Sequence, residues 1–171
     1  MSISVNEIRK DFPLLENRKV IYLDTAATSQ KPSCVLEAER EFYEKYNANP
    51  LRGLYELGEA ATEKYEEARE TVRGFINAKE AAEIIFVRNA TEGLNLVAYS
   101  FGSLVLKPGD EILVSIMEHH SNLLPWQMVC RQTGATLKFL ECDQTGFLSD
   151  ETLENAITDK TRLVAIAQVS N

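Results

Sequence analysis

The sequence predicts an α/β fold in which helices cover both faces of a mainly parallel sheet, a three-layer α/β/α arrangement. From residue 84 onward, short apolar runs alternate with segments whose apolar residues recur every three or four positions. The apolar runs are nearly continuous, which is typical of strands that are buried on both faces. Strands that alternate with helices at this spacing are usually joined by right-handed crossovers into a parallel sheet.

The first half of the chain predicts helices around one strand. Ser4 and Glu7 have the spacing of a capping box, which predicts a short helix that ends near residue 12. Pro32 suits the first turn of a second helix. The other expected elements are a strand at 20–24, loops at 25–30 and 47–58, and a long helix from 61 to 76.

The second half predicts four strands with helices between them. Gly134 is expected to end one helix, and Ser149 is expected to cap another. The strands are expected at 84–88, 111–115, 136–141 and 162–169. The helices are expected at 91–101, at 123–132 and directly after Ser149.

The composition is that of a globular protein and argues against several classes. The 171 residues are 44% hydrophobic and 26% charged. No apolar run approaches the roughly 20 residues that a membrane-spanning helix needs. The first residues lack the basic start and apolar core of a signal peptide, so a cytoplasmic location is expected. The net charge of −8 argues against a nucleic-acid partner, and no membrane partner is expected.

The three cysteines, Cys34, Cys130 and Cys142, match no metal-binding or redox spacing. The chain has two histidines, which are adjacent, and no C-x-x-C motif, so no metal site is expected. All three thiols are predicted to be reduced and structural.

Small and polar residues follow several of the predicted strands. They form the segments 24–27, 89–93, 117–122 and 170–171. Because the carboxyl ends of parallel strands meet at one edge of a sheet, these segments predict a single cleft there. Both histidines of the chain lie in one of these segments.

The segment 89–93 lies where a predicted strand passes into a helix. Backbone N–H groups at a helix start face outward at the positive end of the helix dipole, which favours an anion. The segment contains neither G-x-G-x-x-G nor G-K-[ST], so it is neither a dinucleotide fingerprint nor a P-loop. A phosphate would be held here by a few N–H groups and the Thr91 hydroxyl.

Simpler structural interpretations remain open for these features. Thr and Glu are common in the first turn of any helix. The histidine pair could be an ordinary exposed loop, and Arg52 a solvated loop charge. Asn122 could cap the next helix, and Asn171 could be only a chain end.

Five segments resemble one known family, in the correct order along nearly the whole chain. They are "YLDTAATSQKP" (22–32), "ATEKYEEARETVRGFINA" (61–78), "IIFVRNATEGLNLVA" (84–98), "MEHHSNLLPWQ" (117–127) and "TRLVAIAQVSN" (161–171). Together they closely resemble the N-terminal part of group II cysteine desulfurases, the SUF-pathway enzymes related to selenocysteine lyases. The resemblance implies the aspartate-aminotransferase-like fold (fold type I) of pyridoxal 5′-phosphate (PLP) enzymes, of which this chain is expected to cover less than half.

The resemblance also implies roles for individual residues. In the family, the turn that matches Ala90 and Thr91 holds the PLP phosphate. The histidine that matches His119 stacks on the pyridine ring and is a candidate for proton transfer, with His120 as the alternative stacked ring. The asparagine that matches Asn171 contacts O3′ of PLP or the substrate carboxylate. The loop that contains Ala26 and Ala27 lines the substrate side.

Other parts of the family's site have no match in this sequence. No lysine stands in a Ser-x-His-Lys context, none of the three cysteines matches the family's nucleophile, and the aspartate partner of the pyridine nitrogen is expected beyond Asn171. The segment 49–58 also departs from the family, many members of which place histidines beside its Arg-Gly. We therefore expect a fragment that is inactive alone.

The leading hypothesis is a PLP-dependent cysteine desulfurase in iron–sulfur cluster assembly. It would convert L-cysteine to L-alanine and pass persulfide sulfur to an acceptor protein of the SUF system, as a homodimer. Residues 1–19 are expected to associate with the small domain of the full-length protein, and 20–171 to begin its PLP-binding large domain. The alternatives are a selenocysteine lyase or other PLP carbon–sulfur lyase, a non-catalytic α/β domain that binds phosphate or nucleotide, and a self-associating structural fragment.

Overall fold

The computed structural model describes residues 4–170, which divide into two compact units at the boundary between Ile85 and Phe86. The helices are α1 (Val5–Lys10), α2 (Pro13–Arg18), α3 (Ser33–Lys45), α4 (Glu56–Ile76), α5 (Ala90–Val97), α6 (Ser103–Val105), α7 (Leu124–Thr133) and α8 (Asp150–Ala156). The strands are β1 (Glu111–Ser115), β2 (Thr136–Leu140) and β3 (Thr161–Ala165). Within the described part of the chain, no helix is long and apolar enough to cross a membrane.

The first unit is helical, with a loop packed against the start of α4. A Cβ atom on Gly58 would lie 2.7 Å from the Gly53 Cα, so the two backbones touch only because both residues are glycine. The Thr62 hydroxyl accepts the Leu51 N–H over 2.9 Å and donates to the Gly58 carbonyl over 2.6 Å. The loop predicted at 47–58 is too long at its end, because α4 begins at Glu56 and includes residues 56–58.

The predicted capping box at Ser4 is wrong in its detail. Helix α1 forms as expected, but the Ser4 side chain makes no capping hydrogen bond. The Glu7 carboxylate pairs instead with the Lys10 ammonium, 2.8 Å away and one turn further along the helix. The ammonium one turn away offers the exposed Glu7 carboxylate a charged partner, which the Ser4 backbone N–H does not. Pro32 occupies the N-cap position of α3, directly before the first turn and not within it as predicted.

Two predicted strands, 20–24 and 84–88, are not strands in the described structure. Their apolar runs favour extended backbone, but a strand also needs a hydrogen-bonded neighbour. Strand β1 has β2 on one side and β3 on the other, and neither apolar run pairs with this sheet. Local sequence cannot reveal that a ladder partner is absent.

The second unit is built on a three-stranded parallel sheet in the order β2-β1-β3. All five residues of the central strand β1 are buried, which explains its apolar centre, Ile112, Leu113 and Val114. Val114 is in register with Phe139 of β2 and Ala165 of β3. The core residues come from the central strand and the helices packed on it: Ala98, Leu106, Ile112, Val114, Trp126, Val129 and Cys130.

Most local predictions for the second unit are confirmed. Gly134 ends α7 with a φ of 78°, a left-handed conformation that favours glycine. The Ser149 hydroxyl accepts the Thr152 N–H over 3.1 Å and so begins α8. Helix α5 continues through a π-helical turn at Ala98–Gly102 into α6. Strand β3 ends at Ala165, four residues earlier than predicted.

The fold places two loops at the carboxyl edge of the sheet. Strand β1 ends at Ser115 and leads into the segment 116–123, which carries both histidines. Strand β3 ends at Ala165 and leads into 166–170. Asn171, a predicted cofactor contact, lies outside the described residues.

Candidate functional site

The start of α5 is a cap with unused hydrogen-bond donors. Asn89 is extended, its Oδ1 accepts the Glu92 N–H over 2.9 Å, and its carbonyl accepts the Gly93 N–H over 3.1 Å. Among the residues that the structure describes, the Ala90 and Thr91 N–H groups donate no hydrogen bond to a protein acceptor. The two amides and the Thr91 hydroxyl therefore form a donor set at the positive end of the α5 dipole.

Glu92, the acidic residue in the first turn of α5, is paired with a cation, so its charge does not act on a bound anion by itself. The Glu92 carboxylate accepts the Arg88 backbone N–H over 2.6 Å and pairs with the Arg88 guanidinium at 3.0 Å. The hydrogen bonds from the Arg88 side chain and then from its backbone hold the pKa of Glu92 below its ordinary value. The charge of Glu92 is therefore compensated next to the donor set.

A cleft of about 380 Å³ lies beside the start of α5. Its lining residues are Thr91, Asn95, His119, His120, Ser121, Leu124, Pro125 and Met128. The structure thus brings two predicted site residues, Thr91 and His119, onto one cleft although they are far apart in sequence. Its size is within the range of small-ligand sites. The apolar side chains of α7 supply much of its wall.

The His119 ring is held by its own loop. Its Nδ1 accepts the Ser121 backbone N–H over 3.1 Å and lies 2.8 Å from the Ser121 hydroxyl. Because a backbone N–H can only donate, the neutral imidazole carries its proton on Nε2. The His120 ring lies 6.4 Å from the His119 ring, at an interplanar angle of 63°. Both histidines line the cleft, so the choice of the stacked ring stays a prediction.

Sequence reasoning missed the role of Glu118, which organises the loop that carries His119. Its Oε1 accepts the Ser115 hydroxyl over 2.6 Å and the Ala167 N–H over 2.9 Å. Its Oε2 accepts the Asn122 amide over 2.7 Å, and the Asn122 Oδ1 accepts the Trp126 indole N–H over 2.9 Å. Asn122 therefore bridges two side chains and is not the N-cap of α7. The spacing of residues 118, 122 and 126, four apart, was the available signal.

Ser121 and Asn95 are further cleft residues that sequence reasoning missed. Ser121 holds the His119 ring two residues before it in the chain. Asn95 lies four residues after Thr91 on α5, and its side chain donates to the Thr91 carbonyl over 2.8 Å. That spacing puts both on the same face of the helix, which was a usable signal.

Ala26 and Ala27 belong to the first unit, where they form a tight exposed turn. The Asp24 carbonyl accepts the Ala27 N–H over 3.2 Å and the Thr28 N–H over 3.0 Å. The Tyr22 hydroxyl closes the same turn by donating to the Thr28 carbonyl over 2.6 Å. That Ala26 and Ala27 line the substrate side stays a prediction.

With this geometry established, comparison with known proteins identifies the family. The sequence profile of the aminotransferase class-V family matches residues 21–171. The chain belongs to the aminotransferase class-V family. The matched region contains the start of α5, the cleft and the segment 116–123 with Glu118.

Members of this family that resemble the chain include cysteine desulfurases. A probable cysteine desulfurase of Staphylococcus aureus strain Mu50 is 49% identical over 174 residues, which cover 99% of this chain. A cysteine desulfurase structure from Thermococcus onnurineus NA1 aligns with a TM-score of 0.90 and 44% identity over 100% of this chain. One from Escherichia coli aligns with a TM-score of 0.83 and 38% identity over 99%.

These likenesses confirm the predicted resemblance to cysteine desulfurases and the predicted α/β fold class, that of fold type I PLP enzymes. The chain spans 42% of the length of each of these three cysteine desulfurases. The predicted domain boundary between residues 19 and 20 stays a prediction.

Proposed function

We propose that this chain provides the phosphate-binding turn and the histidine-bearing cleft wall of a PLP-dependent cysteine desulfurase. The protein would convert L-cysteine to L-alanine and pass the sulfur, as a persulfide, to an acceptor protein of the SUF system for iron–sulfur cluster assembly. The observation that carries the proposal is the meeting of Thr91, beside two unused backbone N–H donors, with His119 on one cleft.

The donor set at the start of α5 fits the phosphate of PLP. A phosphate dianion needs several donors, and the Ala90 N–H, the Thr91 N–H and the Thr91 hydroxyl are without protein acceptors in the described residues. The α5 dipole adds positive potential at the same place. The ion pair of Glu92 with Arg88 compensates the nearest carboxylate. A phosphate group is therefore the anion that this turn suits best.

The remaining cleft wall fits an aromatic ring. Leu124, Pro125 and Met128 supply apolar surface, and the two imidazoles add flat aromatic faces. A pyridine ring anchored by its phosphate at Thr91 would lie against this wall.

The chain's own residues would bind the cofactor and move a proton near it. Bound PLP supplies an electron sink that stabilises negative charge at the α-carbon of an amino acid. Ala90 and Thr91 would anchor its phosphate. His119 would hold a proton at Nε2, because Ser121 occupies Nδ1, and that atom is the candidate for proton transfer. The apolar side chains of α7 would cover one face of the ring.

PLP binding tests the anchor directly in the 171-residue chain. We expect PLP to bind and inorganic phosphate to compete with it. Thr91→Val, which removes only the hydroxyl, should weaken PLP binding roughly tenfold or more, since hydrogen bonds to charged groups contribute about 1.5–3 kcal/mol. Thr91→Ser is the matched control and should bind like the wild type. Equal affinity for Thr91→Val and Thr91→Ser would contradict the proposed anchor.

A chimera tests the activity. In it, this chain replaces the region of the Staphylococcus aureus relative that aligns with it. We expect PLP-dependent release of alanine from L-cysteine, and its loss in His119→Ala with PLP still bound. A chimera that binds PLP and releases no alanine would refute the desulfurase proposal. Faster turnover of selenocysteine than of cysteine would favour the selenocysteine lyase alternative.

The partners follow from the same proposal. Support for them comes from the cysteine desulfurases that resemble this chain over 99–100% of its length. The protein would act in the cytoplasm as a homodimer, with L-cysteine as substrate. The SUF acceptor and the dimer are tested by the sulfur acceptor that the chimera uses and by its mass in solution.

A further inference from the structure

We propose that Glu118 is a positioning residue that holds His119 and the segment 166–170 in one fixed arrangement, acting as a hydrogen-bond acceptor on both carboxylate oxygens. The proposal rests on the proposed function, because it assigns Glu118 to the same PLP site. The evidence is a set of three hydrogen bonds to one carboxylate. Its donors are the Ser115 hydroxyl at the end of β1, the Asn122 amide and the Ala167 N–H after β3.

The groups that face Glu118 are donors, so both oxygens of its carboxylate must accept hydrogen bonds. The Trp126 indole N–H can only donate, so the Asn122 side chain must turn its oxygen toward Trp126 and its NH₂ group toward Glu118. The Ala167 backbone N–H also can only donate. Oε2 and Oε1 of Glu118 therefore each face a fixed donor. A glutamine here would set its NH₂ group against one of them.

The bond from Asn122 to Glu118 closes a ring across His119. The two side chains join over 2.7 Å on either side of the segment 119–121. Inside this ring the His119 carbonyl accepts the Asn122 N–H over 2.8 Å, and Ser121 holds the His119 Nδ1. The backbone that carries the imidazole is thus fixed at both ends by one side-chain pair.

The second arm of Glu118 reaches the other loop at the carboxyl edge of the sheet. Oε1 accepts the Ala167 N–H over 2.9 Å, 49 residues along the chain. The Ser170 hydroxyl adds a parallel link by donating to the Met117 carbonyl over 2.8 Å. These two bonds tie the histidine loop to the segment after β3.

The same contacts indicate that Glu118 acts through its neighbours. It is partly buried, and both carboxylate oxygens are already engaged by protein donors at 2.6–2.9 Å. It does not line the cleft, whereas His119 does. Glu118 would therefore set where the imidazole lies, and His119 would contact the cofactor.

An exchange of acid and amide tests this proposal in the 171-residue chain. Glu118→Gln alone sets an NH₂ group against either the Asn122 amide or the Ala167 N–H, and Asn122→Asp alone places two carboxylates face to face. The double variant Glu118→Gln/Asn122→Asp restores every pair. In it, the new amide at position 118 would donate to the new carboxylate at position 122 and accept from Ala167 and Ser115. The carboxylate at position 122 would also accept from Trp126. Ser115→Ala is the control, since it removes one donor and leaves both fixed donors in place.

Two readouts follow the imidazole and the cofactor separately. ¹⁵N NMR of the two histidines, assigned with His120→Gln, should show a single tautomer of His119 in the wild type, with the proton on Nε2. In Glu118→Gln we expect a mixture of the two tautomers. PLP binding should weaken about tenfold in each single variant, because the mismatched pair displaces the segment 119–121, and with it His119, from the arrangement that contacts the cofactor. The double variant should regain the NMR pattern and an affinity within about twofold of wild type, the accuracy with which independent effects add.

The outcomes separate this proposal from the proposed function. A Glu118→Gln variant with the wild-type histidine pattern and PLP affinity would overturn the positioning role. A double variant whose loss of PLP affinity equals the product of the two single losses would also overturn it, even if the single variants fold badly. If the wild type bound no PLP, the proposed function would fail, and with it the assignment of Glu118 to a PLP site. Rescue of the histidine pattern would then still support its hold on His119.

Discussion

The side chain of Asn89 accepts the backbone N–H of Glu92 over 2.9 Å, and this bond begins α5. It satisfies the third N–H group of the helix and leaves the first two, those of Ala90 and Thr91, without a protein acceptor in the described residues. A side chain that caps the helix in this way also determines which donors remain for a ligand. The cap and the proposed phosphate anchor are therefore neighbours in one turn.

Substitutions at Asn89 should separate helix capping from anion binding. Asn89→Ala is expected to lower the free energy of unfolding by about 1 kcal/mol, because it removes the cap. Asn89→Asp should keep stability within about 0.5 kcal/mol, since Asp caps as well as Asn. Its added negative charge should still weaken PLP binding several-fold. Urea unfolding followed by the fluorescence of Trp126, the single tryptophan, and a PLP titration measure the two effects. Undiminished PLP affinity in Asn89→Asp would argue against an anion at this turn.

The acid stability of the second unit should depend on Glu111. This buried carboxylate in β1 lies 2.9 Å from the Lys138 ammonium of β2 and 2.9 Å from the Thr158 hydroxyl that precedes β3. The hydrogen bond from Lys138, followed by that from Thr158, holds the pKa of Glu111 below the ordinary glutamate value of 4.5. The folded state therefore binds its proton at lower pH than the unfolded state does.

The sign of the pH effect follows from this difference. The stability that the Glu111 interactions contribute is complete above pH 4.5 and is lost as the pH falls through the lower folded-state pKa. Glu111→Gln should flatten this part of the curve of unfolding free energy against pH. Urea unfolding at a series of acidic pH values, read by Trp126 fluorescence, measures the slope. Identical slopes for wild type and Glu111→Gln would show that another group is responsible.

The three free cysteines should react with alkylating agents in order of exposure. Cys34 is exposed, Cys142 is partly buried, and Cys130 is buried in the core. Burial also raises the pKa of the Cys130 thiol, which lowers its reactive thiolate fraction. Mass spectrometry after brief iodoacetamide treatment should find Cys34 modified first and Cys130 last. In denaturant the three rates should converge, and persistent protection of Cys130 there would require another cause.

Gly134 should tolerate alanine less well than Gly109. Both have positive φ, 78° and 90°, so alanine is strained at either position by about 1–2 kcal/mol. A Cβ on Gly134 would also lie 3.2 Å from the Pro108 ring, whereas a Cβ on Gly109 would meet nothing within 4 Å. Gly134→Ala is therefore expected to destabilise the second unit more than Gly109→Ala. Urea midpoints of the two variants give the comparison, and equal losses would mean that Pro108 yields without cost.

Local features of the second unit could be predicted from sequence because their causes are local. The segment 111–115, with its apolar centre, forms β1 with the predicted bounds, Gly134 ends α7, and the Ser149 hydroxyl caps α8. In each case the residues that decide the structure lie within a few positions of one another. The Asn89 cap was not predicted, although an Asn directly before a helical pattern is a local signal of the same kind.

Only the tertiary structure decided which distant residues meet. The apolar runs 20–24 and 84–88 resemble strands, yet the described sheet offers them no ladder. Thr91 and His119 share a cleft, and Glu118 accepts a backbone N–H from 49 residues away, because parallel strands bring their carboxyl ends to one edge. The sequence determines which chemical groups are present. Hydrogen bonds and clefts between distant segments depend on how the strands pair, and that pairing is a property of the whole unit.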